Sequence, residues 1–158
     1  MFNISNIPEE EVLKAQQKWA DGLIHIGKLY LEKKDYHTAA EKMVDELYGY
    51  NERTVLFKPT KASELPFRLT KEGAVSYFVA GNEAYPEDLG FALQPVTKVS
   101  FKNAAISISE IEAVSMGHYF FTNLAGEHLK VEFTMVFYVS ENNSLKLWLH
   151  HSSFPFVP

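Results

Sequence analysis

The stretch "LKVEFTMVFYVSENNSLKLWLHHSS", residues 129–153, decides the fold class that this sequence predicts. Its first part alternates apolar and polar side chains through Val131, Phe133 and Met135, as a strand with one buried face does. The polar turn ENNS then leads into a second apolar run, LKLWLHHSS. Two strand-like runs joined by a short polar turn predict a pair of antiparallel strands.

Further runs upstream extend this pair into a sheet. VTKVSFKNAAISI (96–108) and AVSMGHYFFTN (113–123) both mix alternation with apolar stretches, and short turns follow them. A brief strand, TVLF (54–57), comes earlier and is followed by a loop with two prolines. Consecutive strands joined by short turns make an antiparallel meander.

The first half of the chain predicts helices instead. Residues 8–33 place apolar side chains three and four residues apart, with three glutamates in the first turn, where they complement the helix dipole. A second helix is expected with TAAE (38–41) as its capping box, and a third, short helix is expected to begin at Thr70. Helices followed by a meander define the class α+β, in one domain covering residues 1–158.

The composition excludes several function classes. The net charge is −5, and Arg53 and Arg68 are the only arginines, so a nucleic-acid partner is not expected. Cysteine is absent, which excludes disulfides, thiolate catalysis and cysteine-based zinc sites. No apolar stretch approaches the roughly 20 residues of a membrane helix. The sequence begins without an export signal, so the expected location is cytoplasmic.

The segment HHSS, near the end of the last predicted strand, concentrates polar and titratable groups. Neighbours in a strand point to opposite faces, so His150 and His151 are not expected to bind one metal ion together. The same-face pairs are His150 with Ser152, and His151 with Ser153. Strict alternation places Trp148 and Phe154 beside the first pair, and it places three leucines beside the second: Leu145, Leu147 and Leu149. Either face could line a pocket, or the segment could simply end a strand at solvent or at a partner subunit.

The segment HHSSFP resembles the HHSSxP signature of the iota-class carbonic anhydrases. The phrases QQKWADGLIHIGKLY, VLFKPTKA and FRLTKEGAVSYFVAGN are also similar to that family, and the likeness spans residues 10–156. The resemblance implies a nuclear transport factor 2-like fold, in which helices pack on a curved sheet that forms a cone. The association domain of calmodulin-dependent kinases has the same fold and a related closing segment. A non-catalytic oligomerisation module therefore stays open as the alternative.

The resemblance implies reversible hydration of carbon dioxide to bicarbonate. Members of that family are described both with a divalent metal and without one, and we expect the metal-free form here, with no other cofactor. The resemblance places four residues around bicarbonate: Thr60, Tyr77, His150 and Ser152. The pair His151 and Ser153 is the fallback if the other face of the strand meets the pocket. Cones of this type usually pair through their sheets, so a homodimer is expected.

The chemistry expected of these residues follows from their side chains. His150 is the candidate for a general base or for the group that orients one. The hydroxyls are candidates for donors to the oxygens that become negative. Carbon dioxide is apolar, and three phenylalanines could form its slot: Phe57, Phe78 and Phe154. A zinc site would need distant ligands such as His118 or Glu132 and is disfavoured.

Overall fold

The chain folds as N-terminal helices packed on a curved sheet, and the computed structural model describes residues 6–158. In chain order the elements are α1 (Glu9–Leu31), α2 (Tyr36–Leu47), β1 (Leu56–Lys58), α3 (Lys71–Val79), β2 (Val96–Ile108), β3 (Glu112–Asn123), β4 (His128–Val139) and β5 (Leu145–Ser153). A single 3-10 turn, Phe91–Leu93, precedes β2. The α+β class is confirmed, and β2 to β5 begin and end within one residue of the predicted runs.

The five strands are ordered β1-β5-β4-β3-β2. The last four form the expected antiparallel meander, while β1 pairs with β5 in parallel and places Phe57 opposite His150. The three-residue β1 carries too few side chains for a periodic pattern, so its pairing was not predicted. This pairing brings the loop that follows β1, including Thr60, to the end of β5.

The helices begin where side chains satisfy their first amides. Thr70 caps α3 as predicted, since its hydroxyl accepts from the Gly73 amide at 3.1 Å. The predicted capping box at 38–41 was wrong. Asp35 caps α2 instead, and its carboxylate accepts from the Thr38 amide at 3.1 Å, so Thr38 lies inside the helix. Asp is as good a cap as Thr or better, and it comes three residues earlier. Across residues 6–158, no helix is both long and apolar enough to span a bilayer.

A β-bulge in β5 sets which side chains face the interior. Val136 of β4 pairs with Leu149, and the next residue, Phe137, pairs with Leu147. Trp148 is therefore the extra residue of the bulge. A bulge of this kind interrupts the strict alternation of faces along a strand.

The consequence is a corrected face assignment for the end of β5. Leu147, His150 and Ser152 are all buried, with exposures of 1%, 1% and 2%. His150 and Ser152 share the inner face, but the companions predicted for them were wrong: Leu147 shares that face, and Phe154 is 46% exposed. His151 is exposed on the opposite side. The alternation of side chains between the two faces of β5 is interrupted at the bulge and resumes after it.

A buried ion pair holds the loop between β1 and α3. Arg68 donates to both carboxylate oxygens of Asp88 at 2.7 Å, and both side chains are fully buried. The guanidinium also donates to the carbonyl oxygens of Leu65 and Gly73, and the Arg68 amide donates to the Phe57 carbonyl at 2.7 Å. These bonds tie the loop that carries Thr60 to β1 and to the helix that carries Tyr77.

Candidate active site

The four residues singled out in the sequence line one small cavity inside the cone. Thr60, Tyr77, His150 and Ser152 come from a loop, from α3 and from β5. The remaining lining residues are Trp19, Pro59, Tyr119, Phe57, Phe78 and Phe91. The cavity holds about 10 Å³ of space for the centre of a water-sized sphere. That is close to the room that one water molecule requires.

Tyr119 is the central polar residue that the sequence analysis missed. It is 1% exposed, its hydroxyl lies 3.1 Å from His150 Nε2, and it is in close contact with the Ser152 hydroxyl. Tyr119 and Phe121 are two residues apart on β3, so both side chains lie on the buried, inner face of the strand. A tyrosine among inward-facing phenylalanines is a buried hydroxyl that needs a partner, and this was the available signal.

His150 is fully enclosed between hydroxyl groups. Its Nδ1 lies 2.8 Å from the Tyr48 hydroxyl, and its Nε2 lies 3.2 Å from the Ser152 hydroxyl. Burial, with a further contribution from the charge of His151, lowers the pKa of His150 to about 3. The imidazole is therefore neutral at physiological pH and is a weak base. This lowered pKa argues against the role of general base, one of the two roles expected for His150.

The two phenols of the cavity stay protonated. Burial raises the pKa of Tyr77 and of Tyr119, while the neighbouring Thr60 hydroxyl opposes the rise at both. The Tyr77 hydroxyl accepts from the Lys61 amide at 3.1 Å, so its own proton is available for donation. Within the described part of the chain, no residue that lines the cavity carries a formal charge at neutral pH. The site is an array of neutral donors.

Aromatic rings form the apolar walls. Phe57 stacks on the His150 ring with centroids 5.0 Å apart, and Trp19 stacks on Tyr119 at 5.3 Å. Phe57 and Phe78 line the cavity as predicted. The third predicted phenylalanine, Phe154, does not, because it follows the end of β5 and turns to the surface.

Phe91 separates the cavity from a larger open pocket. Its ring stacks on Tyr77 with centroids 5.5 Å apart, and the same residue lines an outer pocket of about 530 Å³. Lys61 and His128 also line this outer pocket. Phe91 is therefore a side chain shared by the linings of the two spaces.

The distant ligands considered for zinc lie elsewhere. His118 Nε2 is 3.6 Å from Glu132, and the two are cross-strand partners on β3 and β4. Both side chains are partly exposed on the outer face of the sheet, away from His150. Among residues 6–158, no three histidine or carboxylate side chains are grouped so that they could hold a metal ion.

The fold is a nuclear transport factor 2-like cone. A nuclear transport factor 2-like superfamily protein from Salmonella enterica has the same architecture, with a TM-score of 0.51 at 12% identity over 94% of this chain and 91% of that one. A family model described as metal-independent carbonic anhydrase matches residues 10–154. The chain therefore belongs to the metal-independent carbonic anhydrase family.

Two relatives agree with this membership. The metal-independent carbonic anhydrase of Nostoc sp. is 42% identical over 153 residues, which cover 95% of this chain and 75% of the relative. The crystal structure of a cyanobacterial iota-carbonic anhydrase complexed with bicarbonate superposes with a TM-score of 0.95 at 40% identity, covering 100% of this chain and 98% of that one.

The expected activity class, a carbonic anhydrase, is confirmed over the alternative of a non-catalytic oligomerisation module. A kinase II association domain from Xanthomonas campestris does share the architecture, with a TM-score of 0.64 over 92% of this chain and 86% of that one. Its identity is only 19%, so this likeness shows the fold alone.

Proposed function

We propose that this cavity carries out the reversible hydration of carbon dioxide to bicarbonate, with Thr60, Tyr77, Ser152 and His150 around the substrate and Tyr119 as a fifth member. The observation that carries the proposal is that residues from separate parts of the chain meet in one buried, neutral group of donors. The bicarbonate in the structure of the cyanobacterial relative supports the same ligand here.

The walls suit an apolar substrate. Carbon dioxide carries no charge, and Phe57, Phe78 and Trp19 offer it aromatic surface. The cavity is smaller than carbon dioxide and a water molecule together, so the side chains at its mouth move when both bind. Phe91 is the side chain placed to do this, because it lines both the cavity and the outer pocket.

The reaction proceeds without creating an isolated charge in the cavity. The water oxygen bonds to carbon, and the electron pair of one C=O bond moves to its oxygen. The water gives a proton to the Ser152 hydroxyl, which passes its own proton to that oxygen. The product, carbonic acid, loses a proton to solvent and leaves as bicarbonate. Buried ions are costly, and a His150 with a pKa of about 3 would take up the proton poorly, so a neutral relay fits the site best.

The developing negative oxygen is stabilised by fixed donors. The hydroxyls of Tyr77 and Thr60 line the cavity as donors. Tyr119, whose phenol also stays protonated, donates to the Ser152 hydroxyl that faces the substrate. Donors held in place before the reaction stabilise the transition state without reorganising during it. Neutral donors also leave bicarbonate free to dissociate, since no fixed cation in the lining retains the anion.

Stopped-flow hydration of carbon dioxide by His150→Ala tests the assignment of the face. We expect a loss of about tenfold or more in kcat, because the hydroxyls of Ser152 and Tyr119 lose their common partner. The matched control is His151→Ala, which removes the neighbouring imidazole on the exposed side and is expected to hydrate carbon dioxide at the wild-type rate. The reverse order of effects would assign the site to the fallback pair, His151 and Ser153.

The assembly and location expected from the sequence stay predictions. We propose a homodimer formed through the outer face of the sheet, where Met116 is 56% and Val114 is 37% exposed. Light scattering would report a mass near twice that of the chain, and a monomer would contradict the proposal. The single domain over residues 1–158, the cytoplasmic location and the absence of a nucleic-acid partner are retained as predictions.

A further inference from the structure

Behind His150, on the side away from the cavity hydroxyls, lies a second, fully buried hydrogen-bond chain. Trp19 Nε1 is 3.0 Å from the Tyr48 hydroxyl, which is 2.8 Å from His150 Nδ1. The exposures of Trp19, Tyr48 and His150 are 2%, 1% and 1%. Tyr48 does not line the cavity, so it does not touch the substrate.

Which atom donates in each of these two hydrogen bonds follows from the chemistry of the side chains. An indole N–H only donates, so the Tyr48 oxygen accepts from Trp19. The Tyr48 proton then has one acceptor within residues 6–158, which is His150 Nδ1. If Nδ1 carried the proton instead, the Tyr48 oxygen would accept twice and its own proton would be buried without a partner. Buried polar groups rarely remain unpaired, so the proton of His150 is on Nε2.

The tautomer decides whether the cavity retains a free donor. Nε2 faces the Tyr119 and Ser152 hydroxyls at 3.1 and 3.2 Å, and these two hydroxyls are in contact with each other. If Nε2 carries the proton, the N–H donates a hydrogen bond to one of the two hydroxyls. One hydroxyl proton is then used in the bond between the two hydroxyls, and the second hydroxyl proton is left for the substrate. With Nε2 bare, both hydroxyl protons are used internally, one toward Nε2 and one between the hydroxyls.

We propose that Tyr48, supported by Trp19, is a positioning residue that holds His150 in its Nε2–H tautomer, so that the Tyr119 and Ser152 pair keeps a proton directed at the substrate oxygen. This inference rests on the proposed function of the cavity. Tyr48 acts through His150, and its hydroxyl contributes to catalysis only by fixing which ring nitrogen is protonated.

The test is the ¹⁵N spectrum of histidine-labelled protein without substrate, combined with carbon dioxide hydration kinetics. The wild type is expected to show a bare Nδ1 and a protonated Nε2 for His150. Tyr48→Phe is expected to show a mixture of tautomers and to lose about tenfold in kcat with little change in KM. The control is Tyr50→Phe, which removes the hydroxyl of the phenol stacked on Tyr48 and is expected to leave the His150 signals unchanged.

A wild-type spectrum with the proton on Nδ1 would overturn the inference, and so would a Tyr48→Phe variant with unchanged tautomer and unchanged kcat. If Tyr48→Phe does not fold, the wild-type spectrum still decides between the tautomers. Because the spectrum is recorded without substrate, it also decides the tautomer if the cavity has a different activity. Failure of the inference and failure of the proposed function are thereby separated.

Discussion

Ser152→Ala is expected to lower kcat for carbon dioxide hydration by about 10²–10³-fold, the usual effect of removing one fixed donor from a site of this kind. Ser152 is 2% exposed, and its hydroxyl contacts both Tyr119 and His150. In the proposed reaction it relays the proton and also supports the donor array, so alanine removes two contributions at once. Stopped-flow measurement with a pH indicator reports kcat and KM separately.

The matched control is Ser153→Ala, one residue along the same strand. Ser153 is half-buried on the opposite side and is absent from the lining of the cavity. Its loss is expected to change kcat by no more than about twofold. Thermal melts of both variants would show that each is folded. A loss below about tenfold in a folded Ser152→Ala variant would contradict the relay.

Arg68→Met is expected to lower the free energy of unfolding by about 3–5 kcal/mol, because it leaves the Asp88 carboxylate buried without its partner. The exposure of both side chains is 0%, and among residues 6–158 the Ser76 hydroxyl is the one side-chain donor that Asp88 retains. The loop carrying Thr60 and the helix carrying Tyr77 meet at this pair. Activity is therefore expected to fall together with stability, which urea titration at neutral pH would measure.

Arg53→Met is the control, since it removes the other arginine of the chain. Arg53 is exposed and lies over the Tyr138 ring at 3.7 Å, so its removal is expected to cost at most about 1 kcal/mol. The double variant Arg68→Met with Asp88→Leu is expected to recover part of the loss, because no buried charge is left unpaired. Equal destabilisation by the two single arginine variants would contradict this account of the loop.

The strands and the site pair on β5 were accessible from the sequence because they depend on local alternation. Residues 145–153 form the predicted strand, and His150 with Ser152 do lie on one face. Which leucines share that face depended on the bulge at Trp148, which is set by pairing with β4. A register shift is a property of two strands together, so one strand's pattern does not reveal it.

The rest of the site needed information from outside the local pattern. Thr60 and Tyr77 lie on a loop and a helix far from β5 in sequence, and only the family resemblance connected them to His150. Tyr119 and Tyr48 were missed because a buried tyrosine looks like any core aromatic until its hydroxyl partner is known. The pKa of His150 likewise depends on complete burial, which a sequence position near the end of a strand does not predict.

In the proposed reaction, neutral side chains of this protein hydrate carbon dioxide without a metal ion. The direct test is stopped-flow hydration by protein treated with a strong chelator, with the metal content of the same sample measured by elemental analysis. We expect the full wild-type rate at metal contents far below one ion per chain. Loss of the rate on chelation, with recovery on adding zinc, would contradict the account.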